Sequence, residues 1–145
     1  MTLLSPIQAA IAELAAATAV QAIVGVDATG VRRIRPVEPG PGDSLGAGHF
    51  IPFVVVSVLD ARRIPYTPVR ANTIGLRCYG ATYAQAEALY LAAEAVFADR
   101  GARAAVSGLG IWHSSIAGGM PDKDPDTFQP LFHGIVNYPT TIASI

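Results

Sequence analysis

Thr73-Ile74-Gly75-Leu76-Arg77-Cys78-Tyr79-Gly80-Ala81-Thr82 is the stretch on which the fold turns. Ile74, Leu76 and Cys78 fall on one side and Thr73, Gly75, Arg77 and Tyr79 on the other, the period-two pattern of a strand. Gly80 breaks it. Thr82 then stands as the N-cap of an alanine-rich helix expected to run to about Arg100. Ala86, Leu89, Tyr90, Ala93, Val96 and Phe97 form its apolar stripe, and Gly101 is its expected stop. Downstream, the pattern predicts a strand over residues 109–116 that carries Trp112. A loop over residues 118–126 and a closing strand from Gln129 to Tyr138 follow. Strand, helix and returning strands need one connection that crosses a mostly antiparallel sheet.

Upstream, Ser5-Pro6 is a helix start, with Ser as cap and Pro at the first helical position. Ile7, Ala10, Ile11 and Leu14 share one stripe, so the helix is expected to reach about Ala19. Gly25, Asp27 and Gly30 end that segment, and residues 31–37 read as a short strand. Residues 36–52 hold Pro39, Gly40, Pro41, Gly42, Gly46 and Gly48, which predict an irregular connection. Residues 53–59 are nearly continuous in β-branched side chains, as in a strand covered on both faces. Residues 60–70 carry prolines and arginines between two strands and read as the projecting tip of a hairpin. The order is α-β-β-β-α-β-β. The expectation is one α+β domain spanning residues 1–145, with about five strands and two helices on one face. Phe53, Val55, Leu76, Leu89, Phe97 and Trp112 are expected to be buried between sheet and helices.

Apolar residues make up 51% of the chain and charged ones only 14%, against about 25% charged in ordinary domains. Two causes are expected to act together: a GC-rich genome that favours Ala, Gly, Pro, Val and Arg, and a protomer surface largely covered by neighbours. The net charge of −1 and pI near 6.3 imply no basic face and no sequence-specific nucleic-acid binding. No apolar run reaches the roughly 18 residues of a membrane span, and no basic segment opens a signal peptide. The expected setting is therefore a cytosol, or something assembled there.

The candidate chemistry is sparse. Asp122, Asp124 and Asp126 have the alternate spacing of a calcium loop, but Thr127 stands where Gly is needed and His133 where Glu is needed. They read as an acidic turn suited to a basic neighbour. His49, His113 and His133 supply no third ligand pattern for zinc. Ser114 and Ser115 beside His113 lack the Gly-x-Ser-x-Gly elbow. Cys78, the single cysteine, lies in phase with Ile74 and Leu76 and reads as core. The glycines build no phosphate cradle. No metal, no cofactor and no catalytic residue is expected. Among charged segments, Arg62, Arg63, Arg70 and Tyr66 at the hairpin tip form a residue set typical of binding hot spots. Their natural complements are Asp122, Asp124 and Asp126 on a neighbouring protomer, or an acidic patch on a binding partner.

The chain resembles the tail terminator (tail completion) proteins of long-tailed bacteriophages. The likeness rests on the N-terminal helix with Leu14 and on Ile51-Pro52-Phe53-Val54-Val55 opening the second strand. It rests also on Leu76-Arg77-Cys78-Tyr79-Gly80 with Thr82, Ala86 and Leu89, and on the turn over residues 118–130 before a closing strand. The resemblance implies a non-enzymatic virion protein, assembled in the host cytoplasm. It implies a ring, typically a hexamer, on the head-proximal end of the tail tube. That ring ends tube growth and joins the tail to the head–tail connector or stopper. Its partners would be other copies of itself, the major tail tube protein and the connector, with the genome passing through the lumen. A head-completion or stopper protein sealing the portal is the alternative within the neck. A small ligand-binding domain or enzyme ranks last, for want of convergent polar groups.

Overall fold

The computed structural model describes residues 6–25, 33–35, 52–67, 69–104, 110–124 and 128–141. It is an α+β arrangement in which three helices pack on one face of a mostly antiparallel sheet. The helices are α1 (Pro6–Ala16), α2 (Thr18–Val24) and α3 (Tyr83–Phe97). The strands are β1 (Ile34–Arg35), β2 (Phe53–Arg63), β3 (Val69–Tyr79), β4 (Arg103–Ala104), β5 (Gly110–Ile111), β6 (Ser115–Lys123), β7 (Pro130–Asn137) and β8 (Thr140–Thr141). The connection at residues 36–52, the expected irregular segment, lies outside the described residues except for Pro52.

Strand β3 organises the sheet. On one side it pairs with β2 along nearly its whole length. On the other it changes partner: residues 73–79 pair with β7, whereas Val69 and Arg70 pair with β8. One branch continues from β7 to β6, the other from β8 through β5 to β4. Asn72 stands at the fork. Its side-chain amide donates to the Tyr138 carbonyl at 2.9 Å and to Thr140 Oγ1 at 3.0 Å. Its backbone carbonyl accepts from the Tyr138 amide at 2.9 Å. The fork satisfies the side-chain nitrogen of this buried asparagine, while its Oδ1 is buried without a hydrogen-bond partner. Among the described strands, only β1 runs parallel to its neighbour, β2.

The main core lies between this sheet and the helices. Val54, Val56, Ile74, Leu76, Cys78 and Val136 point up from the strands; Ala9, Leu14, Val20, Leu89, Ala93 and Phe97 come down from the helices. Ile74, Leu76 and Cys78 share that face, as their alternation requires. A smaller cluster of Phe53, Val55, Tyr79 and Leu131 occupies the opposite face, with the Phe53 and Tyr79 rings edge to face at 6.1 Å. Strand β2 is therefore covered on both faces only at its start. From Val58 onward it is exposed.

Several expectations need correction. The N-terminal helix is two helices, bent by 86°. Ala17 is extended (φ −77°, ψ 118°) and its carbonyl restarts the ladder by accepting from Gln21. The bend lets Leu14 of α1 and Val20 and Val24 of α2 all reach the core. The long helix stops at Phe97, not at Gly101: Ala98 is extended and Asp99 takes a left-handed φ of 47°. The predicted loop over residues 118–126 is mostly strand β6. Gly118 and Gly119, with φ of 122° and 93°, form a bulge inside it rather than a turn. Trp112 is 46% exposed. It follows two-residue β5, where the alternation that turns Ile111 inward turns its neighbour out. The closing strand ends at Asn137, and the chain then adds β8 instead of leaving the sheet.

The cap of α3 was legible and is testable. Thr82 is extended and its hydroxyl accepts from the Gln85 amide at 3.2 Å. Gln85 Oε1 reaches back to the Ala81 amide at 2.7 Å, a reciprocal arrangement close to a capping box. Thr82→Ala is expected to cost about 1 kcal/mol. Urea unfolding reads it, and an unchanged midpoint would remove the cap from the account.

Candidate functional site

The sequence singled out two charged segments, and the fold builds each as a hairpin. In the first, β2 and β3 run out beyond the core and turn through Ile64, Pro65, Tyr66 and Thr67. The Thr67 amide and hydroxyl both close on the Ile64 carbonyl, at 3.3 and 2.9 Å. Pro65 in second place and a left-handed residue in third make the pattern of a type II turn, which favours glycine third. Here that residue is Tyr66, at φ 61°. It is 104% exposed, so nothing within the protomer repays the strain. A strained, fully projecting aromatic at a loop tip is a mark of a contact residue.

The arginines of this hairpin divide between its faces. Arg63 and Arg70 are direct cross-strand partners, so their side chains share a face with like charges opposed, an unfavourable pair by itself. Neither makes an ion pair with another described residue. Arg62 lies on the other face and is held by Asp60, two residues earlier, through Nε at 3.1 Å and Nη2 at 2.7 Å. That fork holds the Asp60 carboxyl below its usual range and raises Arg62, chiefly through the hydrogen bond and then through charge. Both side chains remain solvated, so this is a geometric feature more than a stabilising one. Asp60 was not singled out from sequence. The signal was its i, i+2 spacing from Arg62 in a strand, which places both on one face.

The second hairpin joins β6 to β7. Asp122 lies near the end of β6, its Oδ1 accepting from the Lys123 amide at 2.8 Å, and His133 Nε2 comes within 4.0 Å of its Oδ2. Asp124 follows the strand; its amide and carbonyl bond to Gln129 and Phe128. Asp126 lies outside the described residues. Phe128 is exposed at a left-handed φ of 61°, and the Lys123 ammonium sits 5.3 Å from its ring centroid. This second strained, exposed aromatic was missed in the sequence. An open cleft of about 530 Å³ beside the hairpin is lined by Tyr83, Pro121, Asp122 and Lys123.

The two hairpins do not meet within a protomer. Rows across the sheet run Phe53–Tyr79–Leu131–Asp122 at one end and Asp60–Thr73–Asn137–Ser115 at the other. Arg62 and Arg63 lie beyond the second row on β2, and Asp122 belongs to the first on β6. They are separated by roughly 30 Å along the strands and stand on opposite edges of the β2-β3-β7-β6 branch. His113 and His133 are not cross-strand neighbours either: His133 pairs with Met120 and Arg77.

Other polar groups are already committed. Another cleft, about 480 Å³, is lined by Ala102, Arg103, Gly110, Ile111 and Trp112, but Arg103 in its wall is paired with Glu13. Cys78 is fully buried, and burial pushes its thiol well above the usual range, so it is no nucleophile. Among the described residues, no group of three or more His, Cys, Asp or Glu converges as a metal site would need. No described helix is by itself long and apolar enough to cross a membrane.

No protein-family model matches the chain, and no curated protein matches it. Among solved structures it is similar to a chain of the "Virion of native gene transfer agent (GTA) particle". That alignment covers 91% of each chain at 18% identity, with a TM-score of 0.49.

Proposed function

We propose that this chain is a structural virion protein of a tailed, phage-like particle. It forms a closed ring, most simply a hexamer, on the head-proximal end of the tail tube. The ring ends tube growth and presents its other surface to the head–tail connector. The role involves no catalytic step and no cofactor. The observation that carries this reading is the placement of the two hairpins. A strained, fully exposed Tyr66 beside the opposed Arg63 and Arg70 stands at one corner of the sheet, and Asp122 and Asp124 stand at the far corner. A patch and its complement on opposite edges of one protomer favour head-to-tail contact. Head-to-tail contact either closes into a ring or grows without limit, and a terminator must close. The resemblance in element order to tail terminator proteins supplies the position in the particle. The low charge fraction fits a protomer flanked by copies of itself.

Electron microscopy of the purified protein, alone and mixed with tail tubes, tests this. Rings alone or capped tube ends are expected. A protein that neither forms rings nor caps tubes sinks the terminator reading. Arg63→Ala with Arg70→Ala is expected to leave circular dichroism unchanged and to abolish rings and caps. If this variant assembles like the parent, the hairpin face is not the protomer contact.

A further inference from the structure

Among the described residues the outer edge of β2 lies largely uncovered, and of its residues only Arg63 belongs to that ring contact. Strand β1 covers β2 only at Val54 and Val55. Beyond it, among the described residues, no strand pairs with the outer side of residues 56–63. Native sheets blunt such edges with prolines, bulges or short strands. The opposite edge, β6, is blunted in this way by the Gly118–Gly119 bulge and by Pro121. Residues 56–63 contain no proline, and the one irregularity is at Leu59, between the paired residues Val58 and Asp60.

The direction of the backbone groups follows from the hydrogen bonds. The Val54 amide donates to Arg33, on the outer side, so by alternation Val56 and Val58 also face outward. The Ile64 amide donates across the hairpin to Val69, so Arg63 and Ala61 face outward too. Past the bulge, the outward set is thus Ala61 and Arg63, each offering an N–H and a C=O.

We infer that this edge pairs with the same edge of a second copy, antiparallel about Ala61. The charges identify the occupant. Asp60-Ala61-Arg62 is self-complementary when read antiparallel: Ala61 faces Ala61 of the other copy, Asp60 faces its Arg62, and Arg62 faces its Asp60. Ala61 is the smallest side chain available for a two-fold axis, and its outward N–H and C=O are the pair that must be exchanged there. Asp60 and Arg62 lie in the flanking rungs, where backbone groups turn inward and side chains approach most closely. The Asp60–Arg62 pair formed at 2.7 Å within each strand is exchanged for its counterpart between copies, two pairs for two. With Leu59 bulged out of the ladder, the next rung joins Val58 to Arg63 of the other copy, both of them outward-facing and on the same sheet face. Main-chain bonds supply the affinity and the charge palindrome the register.

This contact is independent of the chain's place in a virion. Isolated protomers give a dimer, and because Arg63 lies in both contacts the dimer and the ring compete. The test reads mass by sedimentation velocity at protein concentrations up to about 1 mM, the range where small interfaces associate. Asp60→Arg alone and Arg62→Asp alone each oppose like charges across the axis and are expected to halve the mass of the parent assembly. An equimolar mixture of these two variants restores complementarity in trans and is expected to recover it. Ala61→Pro, which removes an outward N–H and leaves the β2–β3 ladder intact, is expected to halve the mass with circular dichroism unchanged. A parent that remains unpaired at the highest concentration overturns the inference. So does a single-charge variant with parental mass, or a mixture that stays dissociated. Failure of tube capping with the dimer intact would instead count only against the ring.

Discussion

Glu13→Gln is expected to destabilise the chain by about 3–5 kcal/mol, the usual consequence of leaving a buried charge without its partner. The Glu13 carboxylate accepts from Arg103 Nε at 2.6 Å and Nη2 at 2.9 Å, and from Arg100 Nη1 at 3.1 Å. It also accepts from the Tyr138 hydroxyl. Glu13 and Arg103 are each only 14% exposed. Arg103 lies over the Tyr138 ring at 5.9 Å and donates to Ser114 Oγ at 2.9 Å. Ser114 in turn donates to the Phe97 carbonyl at 2.8 Å, at the end of α3. One carboxylate thus ties α1, the exit of α3, β4 and the β7–β8 junction together. Burial, and then Glu13, push the Tyr138 ionisation far above the ordinary tyrosine range, so its hydroxyl remains a donor. Glutamine keeps the shape and loses the charge, and the Arg103 guanidinium is left uncompensated. Arg100, at 45% exposed, turns to water and softens the loss. Glu13→Leu with Arg103→Met removes both charges and is expected to recover much of the stability, since apolar replacement of a whole buried pair is often neutral. Denaturant midpoints of the single and double variants decide it. A loss under about 1 kcal/mol for Glu13→Gln, the scale of surface substitutions, would show that water already screens this pair.

What could be read from the sequence followed from local physics. Strand β3 and helix α3 were legible because alternation, a threonine cap and an apolar stripe act within a few residues. Leu76, Leu89 and Phe97 were legible as core for the same reason, whereas Phe53 and Val55, expected between sheet and helices, are buried in the smaller cluster on the opposite face. The misses needed long-range information. Gly118-Gly119 reads as a turn locally; only pairing with β7 makes it a bulge within a strand. The short strands β4, β5 and β8 exist because β3 forks at Asn72, and no period can be seen in two residues. Trp112 was assigned inward on hydrophobicity, but a residue just past a two-residue strand takes its side from that strand. Nothing within the segment around Glu13 signals that it meets Arg103, since 90 residues separate them. In the candidate site the residue types at the hairpin tip were legible, whereas their division between two faces was not. That division depends on the bulge at Leu59, which shifts every later side chain of β2 to the other face.

The other large effect is expected from a glycine that stands where a strand would ordinarily take a side chain. A Cβ on Gly134 would lie 2.6 Å from Tyr90 Oη, 2.9 Å from Tyr90 Cε2 and 3.1 Å from the Ala117 carbonyl. Gly118 stands opposite Gly134 in the β6–β7 pair, and a Cβ on Gly119 would come within 3.1 Å of the same ring. The Tyr90 ring of α3 therefore lies flat on a pavement of glycines, and this close approach sets the distance between helix and sheet. Gly134→Ala is expected to cost about 1–3 kcal/mol by overpacking, because the ring has no room to retreat: Tyr90 is 3% exposed and has Phe132 at 6.3 Å. The Tyr90 hydroxyl is buried with no partner at hydrogen-bond geometry, and burial, followed by the nearby Glu94 carboxylate, pushes its ionisation up to about 12. Tyr90→Phe is thus expected to be neutral or stabilising, since it removes an unsatisfied buried group. In combination the two changes should be less harmful than their sum. Phenylalanine removes the 2.6 Å contact and leaves the one at 2.9 Å, so rescue is partial, with a coupling of about 0.5–3 kcal/mol. A strictly additive cycle would mean that α3 simply rides away from the sheet, and that the glycines are not what fixes its height.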